Sequence, residues 1–121
     1  MTEHQESVQP ALDFSRIQET SEGDLDFERE LFEIYLEDCQ ERLIRLRTAI
    51  QQGNSKAVLL EAHTIKGASA NVGTTLLQDL AFTLEQADST AIAESGAETL
   101  DQLDAEFARV KVAITEYLSK L

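Results

Sequence analysis

The sequence predicts an all-α fold: an antiparallel up-down-up-down four-helix bundle behind a short N-terminal extension. Three observations lead there. The 121 residues include one proline and five glycines and are rich in Ala, Leu, Glu and Gln, residues that lose little on entering a helix. Four successive stretches repeat their apolar residues at alternating spacings of three and four, which lays them along one helix face. No stretch alternates with period two between turn residues, as a strand would. Amphipathic helices with short connections bury such stripes most simply against one another at shallow crossing angles.

The elements follow in order. Residues 1–12 are polar, hold the only proline (Pro10) and read as a loose tail. Residues 13–20 can form a short capping helix with Phe14 and Ile17 on one side, and Gly23 breaks the chain. This divides the molecule into an N-terminal tail and capping helix, 1–23, and the bundle, 24–121. A long helix is predicted over about 24–52. Its apolar stripe is Phe32, Leu36, Cys39, Leu43, Leu46 and Ile50, with acids early and Arg42, Arg45 and Arg47 late, as the helix dipole favours. Gly53 stops it and Asn54 is a cap for the next helix. That helix, about 55–72, repeats Val58, Ala62, Ile65, Ser69 and Val72 and ends at Gly73. Thr75 with Gln78 reads as a capping box for a helix over about 75–88 bearing Leu77, Leu80, Leu84 and Ala87. Asp88-Ser89-Thr90 reads as a turn. Ser95 with Glu98 is a further capping box, although the last helix can begin a few residues earlier. Its stripe is Leu100, Leu103, Phe107, Val110, Ile114, Tyr117 and Leu121.

The charge balance excludes several functions. With 23 acidic and 10 basic side chains the formal charge is −13. Nucleic acids and anionic lipid surfaces both call for a basic face, so neither is an expected partner. The apolar runs are too short to span a bilayer, and the N-terminus lacks the features of a signal peptide. A single cysteine, Cys39, forms no internal disulfide and fits a reducing compartment. The expectation is a cytoplasmic protein, monomeric because four short-looped helices close one core within the chain.

The acids are unevenly placed. Residues 62–78 contain no Asp or Glu, where an even spread would put about three. The one charged side chain in this window is Lys66, and it shares the window with His63 and with two of the glycines. On a helix, His63, Lys66, Gly67 and Ala70 lie on one face, about 100° from the core residue Ala62. Gly67 costs about 1 kcal/mol relative to Ala inside a helix. Open space beside the imidazole is a physical reason to keep it. The layout suits an imidazole that attacks phosphorus and carries a phosphoryl group. Lys66 would offset charge on the oxygens, and the lack of nearby carboxylates would avoid repulsion.

Plainer readings stand beside this one. A lone histidine on a helix flank is commonly a polar surface residue. A metal site lacks a second His or Cys at ligand spacing, since His4 falls in the tail. There is no nucleophile elbow, phosphate-binding loop or kinase signature. Cys39 lies on the core stripe and reads as a buried thiol. Arg42, Arg45 and Arg47 read as solvated helix charges, and the acidic run over 19–41 as a solvated face.

Residues 62–73, Ala-His-Thr-Ile-Lys-Gly-Ala-Ser-Ala-Asn-Val-Gly, resemble the signature of histidine-containing phosphotransfer (HPt) domains, A-H-x-[LI]-K-G-[SA]-[SA]-x-x-[LIV]-G. Leu80-Ala81 and Leu84-Glu85 continue that pattern in the next helix. The likeness covers roughly 24–120, and Thr74 departs from it where Ala is more usual. The resemblance implies that His63 is the phosphoacceptor through Nε2, that Lys66 assists by charge and that Gly67 gives access. It implies transfer from a receiver-domain aspartyl phosphate to His63 and onward to another receiver, with no kinase activity of this chain's own. Partners would be response-regulator receiver domains and a (hybrid) sensor histidine kinase. The chain would bind no cofactor or metal itself, with Mg²⁺ expected on the partner receiver. Leu59, Ala62 and Ala70 are candidates for the docking surface. Two alternatives remain: the phosphoacceptor domain of a chemotaxis-type histidine kinase, and a helical adaptor that is never phosphorylated.

Overall fold

The computed structural model describes residues 10–120. Five helices follow in order: α1 (Phe14–Ser21), α2 (Leu25–Gln51), α3 (Ser55–Val72), α4 (Thr75–Glu85) and α5 (Ser89–Ser119). Consecutive helices from α2 to α5 pack side by side and α5 returns against α2, which closes a ring of four. No strand occurs among the described residues. The fold is the expected four-helix bundle, with α1 laid across α2 and α3.

Side-chain caps set most helix starts. Asp13, Asp24, Asn54 and Asp88 each accept a hydrogen bond from a backbone N–H in the first turn, which satisfies one of the donors a helix start leaves open. Most residues of the predicted stripes form the core, with Leu36, Ile50, Leu80, Ala87 and Tyr117 partly buried against it. All five stripe residues of α3 are buried, as are Leu100, Leu103, Phe107, Val110 and Ile114 of α5. Cys39 is buried too, and burial pushes its thiol up to about 12.

The structure corrects several local expectations. Residues 11 and 12 do not belong to a loose tail: Ala11 and Leu12 are buried, and the Asp13 N–H donates to the Gly73 carbonyl at 2.8 Å. Residues 1–9 of that predicted tail, and Leu121, lie outside the described residues. On α2, Tyr35 is buried more deeply than the predicted Leu36. Its hydroxyl is held by the Ser69 hydroxyl at 2.9 Å and that of Thr74 at 2.8 Å. This accounts for Thr74, which is buried and begins α4 as its N-cap residue without making a side-chain cap. The N-cap therefore falls one residue before the predicted Thr75 box, and its hydroxyl serves the buried tyrosine instead of the helix. At the other end α4 stops at Glu85 and not at 88, since Asp88 caps α5. Ser89 and Thr90 are already helical, and Ser95 lies inside α5 with its hydroxyl donating back to the Ala91 carbonyl at 3.1 Å.

α1 is fixed at both ends. Gly73 takes φ +88°, and a Cβ there would fall 2.4 Å from the Asp13 carbonyl oxygen, so glycine both ends α3 and admits the N-terminal strap. At the opposite end Glu28 of α2, 1% exposed, accepts from the Ser21 hydroxyl at 2.5 Å and from the Tyr117 hydroxyl of α5. The Tyr117 ring stacks on Phe14 at 4.5 Å between centroids.

Candidate functional site

The helical hairpin α3–α4 builds the site. It turns at Gly73 and Thr74, so residues at similar distances on either side face each other. His63 lies ten residues before Gly73 and Glu85 eleven after Thr74. Glu85 Oε2 is 2.6 Å from His63 Nδ1, and Glu85 Oε1 is 2.6 Å from Lys66 Nζ. The Lys66 ammonium also lies over the Phe82 ring, 5.2 Å from its centroid. The His63 side chain is 63% exposed, whereas that of Glu85 is 15% exposed and that of Lys66 27%. A shielded carboxylate therefore holds an open imidazole.

The electrostatics decide which ring nitrogen is free. Lys66 first, and His63 second, hold the Glu85 carboxyl below its usual range. An ionised carboxylate only accepts hydrogen bonds, so Nδ1 of His63 carries the donated proton. In the neutral ring that leaves the lone pair on Nε2. The arrangement can do one kind of chemistry well: it presents an oriented imidazole nucleophile with a cation one turn away.

The sequence missed Glu85 as a partner of this site. Residues 62–78 lack acids, yet the fold supplies one from α4. The hairpin turn was the signal that could have found it, because it pairs positions across the helices. Phe82 was missed for the same reason. The other predicted residues separate. Gly67 is exposed, and a Cβ added there would meet nothing within 4 Å, so neither packing nor backbone conformation demands glycine. Leu59 is exposed at 45% and Ala70 is half-buried on the His63 face. Ala62 is fully buried and is no part of a docking surface, since it belongs to the core stripe of the same helix. The arginines are paired, not merely solvated. Arg42 bridges Asp38 at 2.9 Å and Glu61 at 3.1 Å, Arg45 approaches Glu41 at 3.8 Å, and Arg47 reaches Asp104 of α5. Glu61, the acid nearest His63 along α3, is thereby neutralised. Among the described residues no group of three or more His, Cys, Asp or Glu is placed to hold a metal ion, and no helix is long and apolar enough to cross a membrane.

A ring of four helices that presents an oriented histidine beside a lysine fits a phosphotransfer module. Comparison with known families agrees. The Hpt domain model matches residues 30–113, and the chain belongs to the Hpt domain family. It is therefore a phosphotransfer protein of two-component signalling. Proteins of this family are phosphocarriers and not kinases, and they interact with receiver domains and histidine kinases in phosphorelays. Among solved structures it is similar to histidine-containing phosphotransfer protein B (HptB) from Pseudomonas aeruginosa PAO1. The TM-score is 0.86 at 27% identity, covering 94% of this chain and 99% of that one. It also shares the fold of the HPT domain from a sensor hybrid histidine kinase of Shewanella, with a TM-score of 0.73 at 22% identity, covering 92% and 96%. No curated protein matches the chain.

Proposed function

We propose that His63 is the phosphoacceptor, taking a phosphoryl group from a receiver-domain aspartyl phosphate and passing it to another receiver. The observation that carries this reading is the bond from His63 Nδ1 to Glu85, which leaves Nε2 as the nucleophile on an exposed ring. The Nε2 lone pair attacks phosphorus, the N–P bond forms, the acyl P–O bond breaks, and the partner's aspartate leaves as carboxylate. The imidazole gains positive charge in this step while retaining the Nδ1 proton. Glu85 lies against that proton and offsets the charge. Lys66 shares Glu85 in the resting molecule and is close enough along the helix to turn towards phosphoryl oxygens. Gly67 leaves room for the transferred group.

The exposed apolar side chains Leu59, Leu60 and Phe82 around the site supply a dry contact surface. The metal ion of such a reaction would belong to the partner, and a single bundle with a closed core is consistent with a monomer. Incubation with a phosphorylated receiver domain is expected to move label to an acid-labile, base-stable position on this chain, and His63→Gln to abolish it. Retention of label in that variant would remove the assignment.

A further inference from the structure

The groove between α3 and α4 does not end at His63. Ala70 lies two turns on, about 10 Å along the axis and on the same face. Across from it is Gln78, which shares a face of α4 with Glu85, seven residues later. There the groove opens into a polar concavity of about 320 Å³ lined by Asp13, Arg16, Ala70, Gly73, Thr75 and Gln78. Arg16 comes from α1. One of its nitrogens donates to the Ala70 carbonyl at 3.2 Å, and its charge also acts on the Asp13 carboxylate three residues before it. A guanidinium has five N–H donors in a fixed fork, so this single bond positions the group and leaves donors facing the concavity.

Three cations follow this line. Lys56 lies two turns before His63 on the same face, Lys66 one turn after it, and Arg16 stands beside Ala70. The neighbouring acids are engaged or turned aside. Glu85 is held by Lys66 and His63, Glu61 by Arg42, and the Asp13 carboxylate caps Ser15 at 3.1 Å with part of the Arg16 charge set against it. Asp79 is one residue from Gln78, rotated about 100° around α4. A chain of net charge −13 thus sets a row of cations through its nucleophile.

We propose that the docking surface for the phosphoaspartyl partner runs along this groove onto α1, with Arg16 as its far anchor for a carboxylate of the partner. This rests on the reading of His63 as phosphoacceptor. The occupant follows from charge complementarity. A partner whose reacting group is an aspartate in a metal-binding pocket is acidic around that pocket, and two negative proteins need cations at their contact. α1 is then part of the interface as well as a cap on the bundle.

The test uses the full chain and a panel of isolated phosphorylated receiver domains, taking the one that transfers fastest to the wild type. Arg16→Glu is expected to lower kcat/KM for transfer roughly tenfold at low salt, with the deficit shrinking as ionic strength rises, as a rim charge does. Arg16→Lys should recover most of the rate. Gln78→Glu, which leaves the α1 contacts intact, should slow transfer in the same salt-dependent way. Labelling of His63 by phosphoramidate, which needs no docking, should keep the wild-type rate in all three. Wild-type transfer rates in both Arg16→Glu and Gln78→Glu would overturn the proposal and leave the phosphoacceptor reading intact. Equal loss with phosphoramidate and receiver would also overturn it, by showing damage to the histidine site. If the wild type takes label from no receiver and none from phosphoramidate, the phosphoacceptor reading itself falls.

Discussion

Glu28 and Glu85 are both carboxylates withdrawn from water, and the molecule uses them in opposite ways. Glu28 is fully enclosed and meets only hydroxyls, those of Ser21 and Tyr117, which join α1, α2 and α5. Glu85 sits at the rim and meets a cation and an imidazole. Hydroxyl partners cannot leave the core without stranding a buried carboxyl oxygen, so Glu28 fixes three helices in place. The partners of Glu85 are half-open side chains that can redistribute when charge arrives. Burial and partner type, and not the carboxyl group itself, separate a structural acid from a chemical one.

That contrast can be broken in four ways. The largest expected effect is on rate. Glu85→Ala should slow phosphorylation of His63 by roughly ten- to a hundredfold, the usual cost of losing a partner that orients a ligating or reacting imidazole. Its unfolding midpoint at neutral pH should fall only slightly, by the ionic contribution of Glu85. Quench-flow labelling alongside urea titration checks both, and a fully active variant would reduce Glu85 to a bystander. Glu28→Ala should do the reverse. Two hydroxyls lose their acceptor and a cavity opens, at a cost of about 2 kcal/mol in stability, with labelling by phosphoramidate unchanged. Calorimetry together with the same labelling assay reads this. Gly67→Ala should add about 1 kcal/mol of stability, because nothing opposes the new methyl group in the folded chain. The same variant should slow transfer from a receiver; a gain in stability with no loss of rate would remove the access role of Gly67.

The smallest effect is on pH. The Glu85 carboxyl is held below its ordinary value of 4.5, by Lys66 first and His63 second. A lowered carboxyl stabilises the fold above its unfolded pKa and loses that contribution as pH falls through the folded value. The difference in urea midpoint between wild type and Glu85→Ala should therefore close as pH drops below 4.5. A gap that persists at pH 2 would mean the stabilisation is not ionic.

The sequence carried the bundle well because each helix repeats its own apolar stripe, and a stripe is local information. Val58, Ala62, Ile65, Ser69 and Val72 needed no knowledge of other helices to be placed inside. His63, Lys66 and Gly67 were legible as a face for the same reason. Glu85 was not, because its role comes from the hairpin and from no pattern within α4. Thr74 and Tyr35 were hidden in the same way: each looks out of place alone, and each satisfies the other. The seat of α1 was also hidden, since Gly73 reads as an ordinary helix stop until the Asp13 carbonyl is found against it.

The hairpin has a consequence for how the molecule assembles. His63 and Glu85 are 22 residues apart, and both belong to one pair of consecutive helices joined by a two-residue turn. Contacts so close along the chain require little loop-closure entropy and form early relative to pairings between distant segments. The contacts that seat α1 on α3 and α5, such as Asp13 to Gly73 and Phe14 to Tyr117, and the return of α5 against α2, bridge much longer separations. Fraying at either terminus can therefore open the cap while the hairpin keeps its geometry. The candidate site lies in the part of the topology with the shortest sequence separations.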